Sequence, residues 1–90
     1  MGGGEGVAAS AQPEYEVRLH PLAAREYRRL QGPLRDRVSR ALDALGADPR
    51  PVGMLKLAGR DDYRIRVGDY RVVYAVDDAE RLVVIARIAH

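Results

Sequence analysis

The chain has 90 residues, enough for one small domain near the lower size at which a single core sustains itself. It contains no cysteine, which excludes a disulfide framework and a thiolate metal site, and five tyrosines carry all of its aromatic content. A net charge of +2 is too modest to signal a polyanion partner alone, yet Lys56 is the only lysine and every other basic residue is arginine.

Arginine, alanine, glycine and valine rise together in GC-rich coding sequence, which accounts for the bias but not for where the arginines fall. The longest apolar run, Leu82 to Ala86, is far too short to span a bilayer. No basic segment followed by an apolar stretch marks a secretory signal near the amino terminus. A cytoplasmic location without a membrane partner is therefore expected.

In chain order, residues 1–13 are mostly Gly, Ala, Ser and Gln with one Glu, lack periodicity and read as a disordered tail; the domain spans 14–90. Tyr15, Val17 and Leu19 alternate with charge, as in a strand with one buried face. His20-Pro21 ends it, and Pro21 suits the first position of a helix. Leu22 to Gln31 reads as a short helix with Ala23, Tyr27 and Leu30 on one stripe and Arg25, Arg28 and Arg29 outward. Gly32-Pro33 breaks and restarts the helical run. Leu34, Val38, Ala41, Leu42 and Leu45 then follow the spacing of an amphipathic helix, with Gly46 as its expected left-handed stop. Two helices so joined form a hairpin lying on a sheet.

Asp48-Pro49-Arg50-Pro51 is a stiff connector, and Met54 to Gly59 includes a short extended piece. Two alternating strands follow, joined by Gly68-Asp69. Tyr63, Ile65 and Val67 fall on one face of the first, with Arg64 and Arg66 on the other. Arg71 sits just after the turn, within reach of Arg66. Three guanidiniums on a small sheet repel one another unless an anion lies between them, and nucleic-acid phosphate is the commonest such anion. After Asp77-Asp78-Ala79-Glu80, Arg81 to Ile88 forms the last strand. Its unalternating core, Leu82 to Ala86, is expected to be central and covered on both faces. The order β-α-α-β-β-β predicts an α+β domain with a mostly antiparallel sheet packed against an N-terminal helical hairpin.

That order resembles RelE/ParE superfamily toxins of type II toxin–antitoxin modules. The resemblance rests on Arg-Glu-Tyr-Arg-Arg-Leu in the first helix, Lys56-Leu57-Ala58-Gly59, Tyr63-Arg64-Ile65-Arg66 and Gly68-Asp69-Tyr70-Arg71-Val72-Val73-Tyr74. It covers Tyr15 to His90 and leans toward the RelE branch. It implies a ribosome-dependent endoribonuclease that cuts messenger RNA without a metal or small-molecule cofactor, with a cognate antitoxin, the ribosome and mRNA as partners. The alternatives are a ParE-like gyrase poison, or a weakened toxin that serves only as an antitoxin-binding module.

By position, the resemblance makes Arg64 and Arg66 the family's paired basic residues and Arg71 its contact to the scissile phosphate. Ala58 replaces a basic residue common in the family. Relatives continue with a basic run and a catalytic tyrosine where this chain stops at His90, so the expectation is that this C-terminal catalytic segment is missing.

The implied chemistry activates a ribose 2′-hydroxyl against the adjacent phosphate and protonates the departing 5′-oxygen. Arginines stabilise the phosphoryl charge but shuttle protons poorly, because their pKa stays above ~12. His90 is the available candidate, because imidazole as a group titrates near neutrality; it is read either as the acid or base beside the arginines or as an exposed chain end, while His20, just before Pro21, reads as a solvent-facing strand end. Lys56, Arg60 and Tyr70 complete the set as RNA contacts. Arg64 and Arg66 have a second reading, as solvated residues paired with Asp61, Asp62 or Asp69. The helix arginines Arg28, Arg29, Arg35, Arg37 and Arg40 are mostly a solvated face, with no one of them singled out for RNA. No metal site is expected.

Overall fold

The computed structural model of the protein describes residues 14–59 and 61–90; the expected tail at 1–13 and Arg60 lie outside the described residues. Strand β1 (Glu16–Leu19) leads directly into helix α1 (Pro21–Arg28), with Pro21 at its first turn. His20 caps that helix, its Nδ1 accepting a hydrogen bond from the Leu22 N–H at 3.3 Å. The helix closes at Arg28 rather than Gln31. The N–H groups of Arg29 and Leu30 turn back to Glu26 and Tyr27, tightening the last turn until it cannot continue. Gly32, at φ 61°, then lets the chain start again.

Helix α2 (Gly32–Ala47) buries Val38, Leu42 and Leu45 along the predicted stripe. Gly46 is not its left-handed stop. It stays helical and buried, and the helix ends where Asp48 becomes extended (φ −147°, ψ 101°) ahead of Pro49. The clash of a proline ring with the preceding residue fixes this end.

The sheet has five strands in the order β1-β5-β4-β3-β2. They are β1 with β2 (Leu55–Lys56), β3 (Asp62–Val67), β4 (Tyr70–Asp77) and β5 (Leu82–Ala89). Strand β1 pairs with β5 in parallel, and every other pairing is antiparallel. Helix α1 packs on β5 and β1, and α2 on β1 and β3, so one face of the sheet is covered. Strand β5 lies between β1 and β4 as expected, but only one of its faces is fully buried. Val83, Ile85 and Ile88 go under the helices, while Leu82, Val84 and Ala89 remain half-buried on the other side. Its apolar run hides an alternation of burial that residue type alone does not display.

Strand β5 also carries one extra residue. Val73 pairs with Arg87 and Tyr74 with Ile85, leaving Ala86 as a bulge. The insertion shifts the buried set from Val83 and Ile85 to Ile88, and so decides which face each later residue takes.

The core joins Ala23, Val38, Leu42 and Leu45 of the helices, and Leu30 between them, to Tyr63, Val67, Val72, Tyr74, Val83, Ile85 and Ile88. Tyr63 and Tyr74 stack at 5.6 Å between ring centroids. The buried Tyr74 hydroxyl donates to the Pro49 carbonyl at 2.6 Å, which ties the connector after α2 to the sheet. Arg50 strengthens the same junction: it forks onto Asp78 at 2.9 and 3.1 Å and donates to the Tyr63 hydroxyl at 3.2 Å. The fold thus clamps the end of the β3–β4 hairpin opposite its Gly68-Asp69 turn.

Candidate nucleic-acid interface

Strands β3 and β4 pair in register from Asp62–Ala75 to Val67–Tyr70, leaving a two-residue loop of Gly68 and Asp69. Positive φ occurs only at the first of these, Gly68 at 60°, which suits a type II′ turn and the twist of the flanking strands. The turn therefore holds the register tightly.

That register sets Arg66 directly opposite Arg71 and Arg64 opposite Val73. Alternation sends Tyr63 and Val67 into the core, so Arg64, Arg66 and Arg71 share the face without helices. Leu55, paired with Arg64 across β2, extends that face and is itself exposed. Among the described residues, no ion pair or hydrogen bond engages the guanidinium of Arg64, Arg66 or Arg71. By contrast Arg18, Arg50, Arg81 and Arg87 are each paired, with Glu16, Asp78, Glu14 and Glu26. Lys56 lies 4.0 Å from Asp61. Among the described residues, neither Asp61 nor Asp69 forms an ion pair with Arg64 or Arg66. Cations held apart from acids, two of them at adjacent backbone positions, attract a phosphate by Coulomb energy and can grip it by paired N–H donors.

Three of the other expected site residues, Tyr70, His90 and Lys56, do not join this face, and Arg60 lies outside the described residues. Tyr70 pairs with Val67, and His90 follows Ala89, which pairs with Arg71, so both rings take the helix side of the sheet. They meet there edge to face, with centroids 5.3 Å apart. With Leu34, Arg37, Gly68 and Asp69 they line a shallow depression of about 390 Å³. Lys56 pairs with Tyr63 rather than with Arg64, which places it too in the row opposite the arginines. The bulge at Ala86 is the physical reason His90 takes this side. Without it, period-two alternation from Ile85 would carry His90 to the arginine face.

Two residues of this region have no role in the sequence reading. Arg37 is one of three exposed arginines on α2, with Arg35 and Arg40, and only its position one turn beyond Leu34 marks it. Glu26 sits in the first-helix motif, but nothing there indicates that it reaches β5. Its carboxylate accepts from Arg87 Nη2 at 2.8 Å and from the Ile88 N–H at 2.7 Å. Burial pulls its pKa upward, but the bonds from Arg87 and Ile88 and the charge of Arg87 outweigh this and hold it below the ordinary value. Among the described residues, no group of three or more His, Asp or Glu is placed to hold a metal ion. Among the described residues, no helix is long and apolar enough to cross a membrane.

Comparison with known proteins adds to this geometry. A family model described as the ParE toxin of the type II toxin–antitoxin system parDE matches residues 17–90. Among solved structures, the chain is similar to an archaeal RelE–RelB complex from Pyrococcus horikoshii, at 29% identity and a TM-score of 0.77, covering 84% of this chain and 93% of that one. It is similar to the intact RelBE toxin–antitoxin complex of E. coli at 28% identity and a TM-score of 0.73, with coverage of 83% and 94%. The RelBE2 toxin–antitoxin complex of Mycobacterium tuberculosis matches at 30% identity and a TM-score of 0.73, with coverage of 89% and 93%. No curated protein sequence matches the chain.

Proposed function

Because this chain belongs to the RelE/ParE superfamily of type II toxin–antitoxin toxins, we propose that it is a ribosome-dependent endoribonuclease whose cutting face is the arginine side of the β3–β4 hairpin. The observation that carries this reading is the Arg66–Arg71 pair, two like charges opposed on adjacent strands with no described acid engaging either. Like charges directly opposite destabilise a sheet. A fold that keeps them at its exposed, rigidly registered end gains only when an anion arrives.

The substrate follows from the chemistry. A phosphodiester seated between Arg66 and Arg71, with Arg64 along the strand, meets donors already fixed in place. As the 2′-oxygen attacks, charge grows on the phosphoryl oxygens, and preorganised guanidiniums stabilise that charge more than the ground state. The proton transfers need another group, typically worth roughly 10²–10⁴-fold. His90 is the proposed candidate. Its place beside Tyr70 means that it acts only on a strand passing around the Gly68-Asp69 turn. Lys56 and Arg60 are proposed as outlying RNA contacts.

The solved relatives are toxins in complex with antitoxins, and a cognate antitoxin is proposed as the partner here. It would silence the toxin by covering the arginines with acidic or apolar side chains, for which exposed Leu55 offers a purchase. The cytoplasm, where ribosomes work, is the proposed location.

A second reading has its own support, since the matching family model carries the ParE description. A ParE-like gyrase poison would use the same cations to bind protein or DNA without cutting RNA. The purified chain is to be assayed in parallel for ribosome-dependent mRNA cleavage and for gyrase-mediated DNA cleavage. Scission of mRNA with gyrase unaffected supports the nuclease; the reverse result replaces it with the gyrase poison.

A further inference from the structure

From the depression on the helix side of the hairpin, we infer a second phosphate subsite: Arg37 binds a backbone phosphate of the same single-stranded RNA, flanking the one held by Arg66 and Arg71. The inference rests on the proposed nuclease reading and extends it from one face of the hairpin to both.

Three observations lead there. The Arg37 guanidinium closes on the turn itself: Nη1 lies 3.4 Å, and the carbon between its nitrogens 3.8 Å, from where a Cβ on Gly68 would stand. A long, exposed arginine thereby lies over the hairpin tip. Among the described residues, no ion pair engages it. Asp69 is the one acid among the residues lining this depression, yet it forms no ion pair with Arg37. Finally, the depression of about 390 Å³ is walled by Tyr70 and His90, whose rings meet edge to face and present aromatic surface beside the cation. Tyr70 is half-buried and His90 exposed; a guanidinium beside accessible ring surface is the combination that single-stranded nucleic acid uses, charge for the backbone and ring for the base.

The topology supplies the path. Gly68 and Asp69 are the whole of the turn, so the two faces of the hairpin are separated there by a single turn of backbone. Arg66 and Arg71 flank it on one side, and Arg37 with Tyr70 on the other. A strand gripped on the arginine face leaves past the tip into this depression. There it meets another cation for the next phosphate and a ring for the adjoining base. Of the five helix arginines that the sequence leaves equivalent, the structure selects Arg37, because only it reaches the hairpin turn. Its substitution should weaken RNA binding without touching the cutting face.

The test uses the full chain and a short single-stranded RNA carrying a 2′-O-methyl group throughout, so that binding is read without cleavage. Affinity is measured across a salt series for wild type, Arg37→Ala, Arg37→Lys, Arg40→Ala and the Arg66→Ala/Arg71→Ala pair. Loss of one charge-assisted contact is expected to weaken Arg37→Ala by about tenfold. The slope of log affinity against log salt should also fall by about 0.7, as for one phosphate released. Arg37→Lys should recover part of the loss. Arg40→Ala removes the same charge from the same helix outside the depression, and should fall well short of the Arg37→Ala effect. Equal effects of Arg37→Ala and Arg40→Ala overturn the inference, since charge alone would then suffice. An Arg37→Ala chain that binds like wild type while Arg66→Ala/Arg71→Ala fails also overturns it, and leaves the cutting face standing. Weak binding by Arg37→Ala with wild-type binding by Arg66→Ala/Arg71→Ala supports the subsite and removes the proposed cutting face instead.

Discussion

Glu26 and Arg87, 61 positions apart in the chain, meet through two hydrogen bonds of 2.8 and 3.0 Å to one carboxylate oxygen, while the other oxygen accepts the Ile88 N–H at 2.7 Å. Strand β1 pairs with β5 only from Leu82 to Ile85. Beyond that point the β5 edge has no strand neighbour, and Glu26 takes the place of one. It does so immediately after the Ala86 bulge, where the ladder would otherwise be weakest. A side chain on α1 therefore fixes the register that puts Ala89 opposite Arg71 and His90 against Tyr70.

Glu26→Ala is expected to destabilise the fold by about 1–2 kcal/mol, mostly from the Ile88 N–H left without its acceptor. Glu26→Gln keeps an acceptor for Ile88 and should lose less, and Arg87→Ala, whose side chain is half exposed, should lose least. Urea unfolding orders the three variants. Amide exchange at Ile88 should accelerate selectively in Glu26→Ala; unchanged exchange there would remove the register-fixing role.

The same carboxylate gives an acid-side signature. Its folded pKa lies below the ordinary value of 4.5, so the folded state holds the ionised form more strongly than the unfolded chain does. Its contribution is complete above the unfolded value and fades as pH falls through the folded one. Wild type should thus lose stability on acidification below pH 4.5 more steeply than Glu26→Gln. Parallel curves for the two proteins would contradict this.

Substituting either member of the Arg66–Arg71 pair should relieve repulsion. Arg66→Ala and Arg71→Ala are each expected to be as stable as wild type or more stable by a few tenths of a kcal/mol. The gain should shrink as salt screens the pair. Thermal melts at low and high ionic strength check this, and a clear loss of stability would show that the arginines serve the fold.

Tyr74 offers an alkaline counterpart. Burial first, then the neighbouring Tyr63, pushes its phenol up to about 12. The neutral form is the one the fold favours, so its contribution is full below the ordinary value of 10.0 and is lost as pH rises toward 12. Tyr74→Phe should cost about 1–2 kcal/mol near neutrality, because the Pro49 carbonyl loses its donor. It should also lack the wild-type decline across that alkaline window. Spectrophotometric titration of tyrosinate together with urea midpoints measures both.

Most of the architecture was legible because its signals are local. Alternation at Tyr63, Ile65 and Val67 placed the arginines on the open face, and the stripe from Leu34 to Leu45 placed α2. What escaped depends on partners distant in sequence or on one-residue offsets. Gly46 carries the residue type of a helix stop, but Pro49 two positions beyond Ala47 sets the end through Asp48. The Ala86 bulge has no compositional mark in an apolar run, so the side taken by His90 could not be read. Glu26 looks like any helix carboxylate until β5 is laid beside it, and Arg37 like any exposed arginine until Gly68 is beneath it.

The central claim is that Arg64, Arg66 and Arg71 form a phosphate-stabilising surface for RNA scission. It is tested most directly by mRNA cleavage on programmed ribosomes, comparing wild type with Arg64→Ala/Arg66→Ala/Arg71→Ala at matched folded concentration. Wild type is expected to cut, and the triple variant, folded and at least as stable, to lose cleavage by at least about a hundredfold, the scale of removing one preorganised donor. A folded triple variant that cuts mRNA at the wild-type rate would contradict it.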